Sequence, residues 1–322
     1  MTPRRHALAL LAAPLALPGL ARAQSFPQDR PIRAVVNFPP GGTVDTVARL
    51  VAPALSERLG RQVVVENRGG ASGLVGAEAV ARSAPDGHTL LFALSTHAVN
   101  PHMVPRMPFD TLADFAPVGF IGGAPVLMAA HPSSPYRTLA DVIAAGRIGE
   151  GPHYGTIGNG STGHLMMAQL QTLTGARFTH VPFRGGGPAV QAALGGQVPL
   201  VITSTVAVGP QVQAGNLRGV ALSGAERSPV HPNVPTVAEQ GFPGFAADSW
   251  VGVLAPARTP DAAVARINAD LAAVLADPAI RERLAGIGMT PRAMSPAEFG
   301  AFVASEYARW GRVVREHGIT AD

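Results

Sequence analysis

Ile32-Arg33-Ala34-Val35-Val36-Asn37, running into Phe38-Pro39-Pro40-Gly41-Gly42-Thr43, is the stretch on which the fold turns. The first six residues form a short β-branched run that predicts a strand. Prolines and glycines end it, and Val44, Val47, Ala48, Val51 and Leu55 then recur at helical spacing. Strand, glycine-rich turn and helix in that order open an α/β unit. Working outward, the same rhythm predicts strands at 63–66 and 89–93 with a helix at 74–83 between them. A second series follows: strand 125–130, helix 139–147 behind a Thr138/Asp141 capping box, strand 153–157, helix 162–173, strand 178–181, helix 188–194 and strand 200–203. The last third reads as helices at 261–276, 278–286 and 296–316. Alternation of this kind predicts mostly parallel sheets covered by helices.

Composition narrows the chemistry. Arg4 and Arg5, the uncharged apolar run from Ala7 to Leu17 and Ala21-Arg22-Ala23 predict a secretory signal over 1–23, with the periplasm as destination. The general export route fits, and the arginine pair leaves the twin-arginine route open. No other segment is apolar enough to span a bilayer. The 322 residues include no cysteine, and all 25 basic residues are arginine. That excludes thiolate chemistry, thiolate metal sites, Schiff bases and a P-loop lysine. Removing the three leader arginines leaves 22 against 21 acids, and no basic run interleaved with aromatics suggests nucleic acid. No metal motif, cofactor site or G-x-S-x-G is present.

Composition shifts at Gly122-Gly123-Ala124-Pro125 and between Pro229 and Gly244 suggest lobe boundaries. Between them, Gly151 to Ala225 holds no Asp or Glu but holds Arg177, Arg184 and Arg218. An Ala/Gly/Val-rich accident explains this as well as a lobe that tolerates an anion does. Open α/β sheets bind ligands where loops meet helix N-termini. Two such loops are glycine-rich: Phe38 to Thr43, and Gly158-Asn159-Gly160-Ser161-Thr162-Gly163. Turn and N-cap chemistry explains either alone, whereas two in successive series point to a shared carboxylate site. The second loop matches G-x-G-x-x-G, but no acid follows at the ribose position, so the match is read as coincidental. His164 opens the helix after that loop and is either an anion donor or a capping and packing histidine.

Read in order, these segments resemble the tripartite tricarboxylate transporter substrate-binding family of the Bug or TctC type. The resemblance is carried by 38–45 with Ala48-Arg49, 65–73, 85–90, Gly158 to Ser161 with His164-Leu165, and 181–185 with Pro188-Ala189. It continues through 194–198, 232–236 with 239–241, 243–245, 250–252 and Ala255-Pro256, across nearly the whole mature chain. It implies an α/β fold of the type II periplasmic-binding-protein kind, with two lobes closing on a ligand cleft. The expected limits are 24–124 and 248–322 for lobe one and 125–247 for lobe two. It implies that Phe38, Gly42, Thr43 and Asp45 of lobe one face Asn159, Gly160, Ser161 and Thr162 of lobe two. Ser95, Thr96 and His97 would also line the cleft, with His164, Thr203 and Ser204 beside them. Phe38 would be an apolar wall, and Asp45 is equally explained as a charge favoured by the helix dipole.

The family usually carries an acid after Gly-Gly-Gln-Val and another a few positions later, where this chain has Pro199 and the run Thr203-Ser204-Thr205. Loss of the later acid implies a ligand without an ammonium group: a di- or tricarboxylate, or an aromatic acid. Pro199 also questions how the lobe-two backbone runs, because proline cannot donate a strand hydrogen bond. The expected protein is therefore a non-enzymatic, monomeric receptor that binds a small carboxylate and serves membrane transporter subunits or a sensor kinase. Two other readings stay open. One is an exported hydrolase pairing Ser161 with His164; the other is a lobe pair that has lost its ligand and only signals.

Overall fold

The computed structural model describes residues 26–319, so the leader expected at 1–23 lies outside the described residues. Strand β1 (Ile32–Val36) leads into helix α1 (Thr43–Leu59), as the opening stretch predicts. Side-chain alternation along β1 puts Ile32, Ala34 and Val36 in one core and Val35 in another on the opposite face. Helix α1 closes the first face with Val44, Val47, Val51 and Leu55 and ends at Gly60, whose φ is 65°. Burial of side chains of this size contributes about 1.5–3 kcal/mol each for the larger ones, so this face anchors the lobe. Strands β2 (Val63–Asn67) and β3 (Thr89–Leu94) flank β1 in parallel, and helix α2 (Leu74–Ala81) connects them after a 3-10 turn at Ala71–Gly73.

Helix α3 (Thr96–Met103) follows β3 directly, and then comes the strand that organises the molecule. Strand β4 (Phe115–Ala130) is 16 residues long, whereas the sequence reading expects only its last six. Its first part pairs antiparallel with β9 (Asp248–Pro256) as far as Pro125, and from Val126 onward it pairs with β7 (Leu200–Ser204) and β8 (Arg218–Leu222). The Gly122-Gly123-Ala124-Pro125 stretch is thus strand. Glycine is needed there for close approach: a Cβ on Gly122 would stand 2.6 Å from the Thr290 carbonyl of β10 (Thr290–Pro291).

Helix α4 (Leu139–Gly146) carries the expected Thr138/Asp141 capping box. Strand β5 (His153–Thr156), helix α5 (Thr162–Thr174), strand β6 (Thr179–Pro182) and helix α6 (Gly186–Leu194) then lead to β7. Strand β5 lies parallel to both β6 and β7. Helix α7 (Thr205–Gln213) and β8, which the periodicity does not reveal, complete the second lobe. The sheet is therefore mixed rather than mostly parallel: parallel flanks enclose an antiparallel centre of β4, β7, β8 and β9. Pro199 stands just before β7, where its carbonyl accepts from the His131 N–H, so the missing donor interrupts no ladder.

The C-terminal helices α8 (Asp261–Ala276), α9 (Pro278–Gly286) and α10 (Pro296–Glu316) fall at the limits that the sequence predicts. Asp277 caps α9, and a Ser295/Glu298 capping box opens α10. Helix α10 touches both cores, with Phe299 and Val303 in the first lobe and Trp310 and Val314 among lobe-two residues. Trp310 is fully buried and donates its indole N–H to Glu306 Oε2 at 2.9 Å. None of the described helices is long and apolar enough to cross a membrane.

Candidate functional site

The lobe-one loop between β1 and α1 is held from beneath by Asp45. This buried carboxylate accepts from the Gly41 N–H (3.0 Å), Arg49 Nε (2.9 Å) and Asn67 Nδ2 (2.8 Å), while Asn67 Nδ2 also donates to the Phe38 carbonyl (3.0 Å). Asp45 is therefore a brace for the loop rather than a ligand contact. In lobe two, Gly158 (φ 128°) and Gly160 (φ 70°) turn the chain in ways only glycine takes without strain. Ser161 caps α5 by accepting the His164 N–H.

Closure brings the two loops together. Thr43 Oγ1 and Ser204 Oγ are 2.6 Å apart, and Ser95 Oγ and Thr162 Oγ1 are 3.0 Å apart. Ser72 Oγ donates to the Asn159 carbonyl (3.0 Å), and Gly42 packs against Gly186. Ser72 itself has φ 52°, a strained conformation for serine, and Asn100 Nδ2 holds its carbonyl at 3.1 Å.

Thr43, Ser161, Thr162, Thr203 and Ser204, joined by Ser249, line a nest of about 10 Å³. That is the space of one water. Thr203 Oγ1 is buried there with no hydrogen-bond partner. Helices α1, α5 and α7 begin at this nest, and each N-terminus carries about half a positive charge. Ile157 lies on the wall of the nest and also lines an outer chamber of about 240 Å³, together with Phe38, Ser72, Asn159, Phe183 and Arg184. Neither space has an Asp or Glu on its wall. Donors, dipoles and no acid make this a place for an anion.

Several expected site residues lie elsewhere. Ser95 stands one layer behind the nest, bonded to Thr162 and Ser249. Thr96 is buried but lines neither space, and Gly160 turns its N–H onto His164 Nδ1 at 3.2 Å. His164 faces its own loop and stacks on His180 with ring centroids 4.1 Å apart. Its imidazole is thus placed as a packing and bracing group, the second of the two roles that the sequence left open.

His97 is corrected. It packs against Phe109 and Phe115 in the lobe-one core, with centroids at 6.0 and 4.8 Å, because α3 turns it away from the cleft. Burial lowers its pKa to about 4, even with a Thr111 backbone hydrogen bond acting the other way. A folded-state value below the unfolded 6.5 means that stability is complete above pH 6.5 and declines as pH falls toward 4. The full decline is about 3 kcal/mol. A His97→Leu variant should flatten this profile in urea titrations from pH 7 to 4; parallel profiles would clear His97 of the role. His180, lowered to about 3 by burial and by His164, adds to the same decline, so some slope should persist.

Ser72, Ile157, Phe183, Arg184 and Ser249 escape the sequence reading as site residues. Ser72 and Arg184 fall inside the motifs that carry the family resemblance, which was the available signal. Ser249 has none, since it reaches the nest only because β9 crosses beside β4.

Two α/β lobes on one mixed sheet, with helix N-termini facing an interlobe cleft, define a solute-binding receptor of the periplasmic-binding-protein fold. The family model of the tripartite tricarboxylate transporter family receptor matches residues 47–319. Protein BugT of Bordetella pertussis is 38% identical over 317 residues, 97% of each chain. Among solved structures, the R. palustris protein Rpa4515 with adipate superposes at a TM-score of 0.88 and 36% identity, covering 92% of this chain and 99% of that one. MatC from Rhodopseudomonas palustris with bound malate follows at 0.85 and 34%, covering 90% and 100%. The chain belongs to the tripartite tricarboxylate transporter receptor family, a family of solute-binding receptors rather than enzymes.

Proposed function

We propose that this receptor works in the periplasm as a monomer, captures a small carboxylate without an ammonium group, and delivers it to membrane transporter subunits or a sensor kinase. One observation carries the reading: hydroxyls and helix N-termini of both lobes surround a space that no acid lines. A di- or tricarboxylate or an aromatic acid suits it, and the two solved relatives with adipate and malate support the carboxylate class. The lobes would be 24–124 with 248–322 and 125–247, since β4 changes partners between Pro125 and Val126 and β9 begins at Asp248.

The hydrolase reading lacks support. Ser161 Oγ meets the His164 backbone N–H, while the imidazole Nδ1 takes the Gly160 N–H. The outer chamber of about 240 Å³ also gives a small acid room, against a lobe pair that only signals. Thermal melting with succinate, malate, adipate and citrate, and with aspartate as the amine-bearing counterpart, tests the proposal. At a hundredfold excess over Kd a ligand adds about 2.7 kcal/mol, which raises Tm by roughly 5–10 °C. No shift with any acid would refute the carboxylate; aspartate matching succinate would refute the exclusion of amines.

A further inference from the structure

We propose that Arg184 is a specificity-determining residue: it binds a second anionic end of the solute at the cleft mouth, so the receptor selects short two-ended acids over one-ended ones. This rests on the reading of the inner nest as the site of the first carboxylate.

Arg184 lies between β6 and α6, where the chain turns against the lobe-one loop. A Cβ on Gly185 would stand 2.9 Å from Pro39 Cδ; one on Gly186 would stand 3.3 Å from Gly42 Cα and 3.8 Å from Thr203 Oγ1. The backbone two residues beyond Arg184 therefore touches both the first loop and the nest. Two residues span at most about 7 Å, which puts the Arg184 Cα close to the same cleft. Arg184 lines the outer chamber and an adjoining recess of about 600 Å³ with Pro39, Pro40 and Asn67.

The charge of Arg184 is not neutralised. It makes no hydrogen bond or ion pair among the described residues, unlike Arg33, Arg49, Arg68, Arg227 and Arg266. Its own lobe offers no carboxylate from Gly151 to Ala225. Across the cleft, Asp45 already serves Gly41, Arg49 and Asn67, and Glu66 pairs with Arg33 and Arg68. An exposed arginine is by itself ordinary surface. This one lines a chamber that shares Ile157 with the hydroxyl nest.

Phe38, Ile157 and Phe183 line the same chamber. Donor nest, apolar wall and guanidinium together suit a molecule built as carboxylate, short methylene body, carboxylate. Arginine suits the outer role because its planar fork can hold a carboxylate by two parallel hydrogen bonds. Solvent at the mouth screens the pair, so a discrimination of about tenfold is expected rather than a thousandfold.

Calorimetry should compare adipate with hexanoate and succinate with butyrate, in the wild type, Arg184→Gln and Ser161→Ala. The wild type should prefer at least one diacid over its monoacid by about tenfold, and Arg184→Gln should bring that ratio close to one. Ser161→Ala should weaken diacid and monoacid alike and keep the ratio. A ratio unchanged in Arg184→Gln, or a wild type that binds each monoacid as tightly as its diacid, overturns the role of Arg184 and leaves the carboxylate reading standing. A wild type that binds none of the four acids overturns the selection of short two-ended acids, and the carboxylate reading then stands or falls on the melting panel that includes malate and citrate. Melting of Arg184→Gln within a degree or so of wild type identifies the change as one of recognition rather than folding.

Discussion

Replacing Thr43 by valine and Ser161 by alanine together should weaken adipate binding by about a hundredfold or more in calorimetry. A hydrogen bond to a charged group contributes about 1.5–3 kcal/mol, and 1.4 kcal/mol is tenfold in Kd. The two hydroxyls come from opposite lobes, so their loss removes donors from both sides of the nest. The ligand-free protein should also soften. Valine leaves Ser204 Oγ without its Thr43 partner, and alanine removes the cap of α5, at about 1 kcal/mol. Binding within about threefold of wild type would place the carboxylate somewhere other than this nest.

The second large effect is on stability. Asp45→Ala removes the acceptor of the Gly41 N–H and the Asn67 amide, and because both are within reach of water the cost is about 0.5–1.5 kcal/mol each. The Arg49 contact adds little because that guanidinium is half-exposed. A loss of about 1–3 kcal/mol corresponds to a fall in Tm of roughly 3–10 °C. Affinity should fall as well, because the brace sets where Gly42 and Thr43 meet lobe two. Unchanged melting would show that the loop holds its shape without Asp45.

How much of the site was legible depended on whether a residue's role is local. Thr43, Ser161 and Thr162 could be singled out because glycine-rich loops before apolar helices predict N-termini, and N-termini attract anions. His97 and His164 could not be oriented the same way. His164 sits beside such a loop and His97 just after the end of a strand, but helical phase turns His97 into the Phe109–Phe115 core and sets His164 against His180. Asp45 read equally as a cleft residue and as a dipole charge until the Gly41 N–H and Asn67 supplied its partners.

By itself the sequence determined the α/β rhythm, the cap of α4, the two loops that meet at the cleft and the absence of acids from 151 to 225. These depend on periodicity, capping and composition, which act over a few residues or are simply counted. Only the tertiary structure decided that the sheet is mixed, because a strand rich in glycine and proline is recognised by its neighbours rather than by its own pattern. It also decided which hydroxyls meet, since Thr43 and Ser204 lie 161 positions apart and touch only when the lobes close. The uncompensated charge of Arg184 is of the same kind. Pairing is a matter of distance in space, and whether a carboxylate stands near Arg184 is set by how the two loops pack.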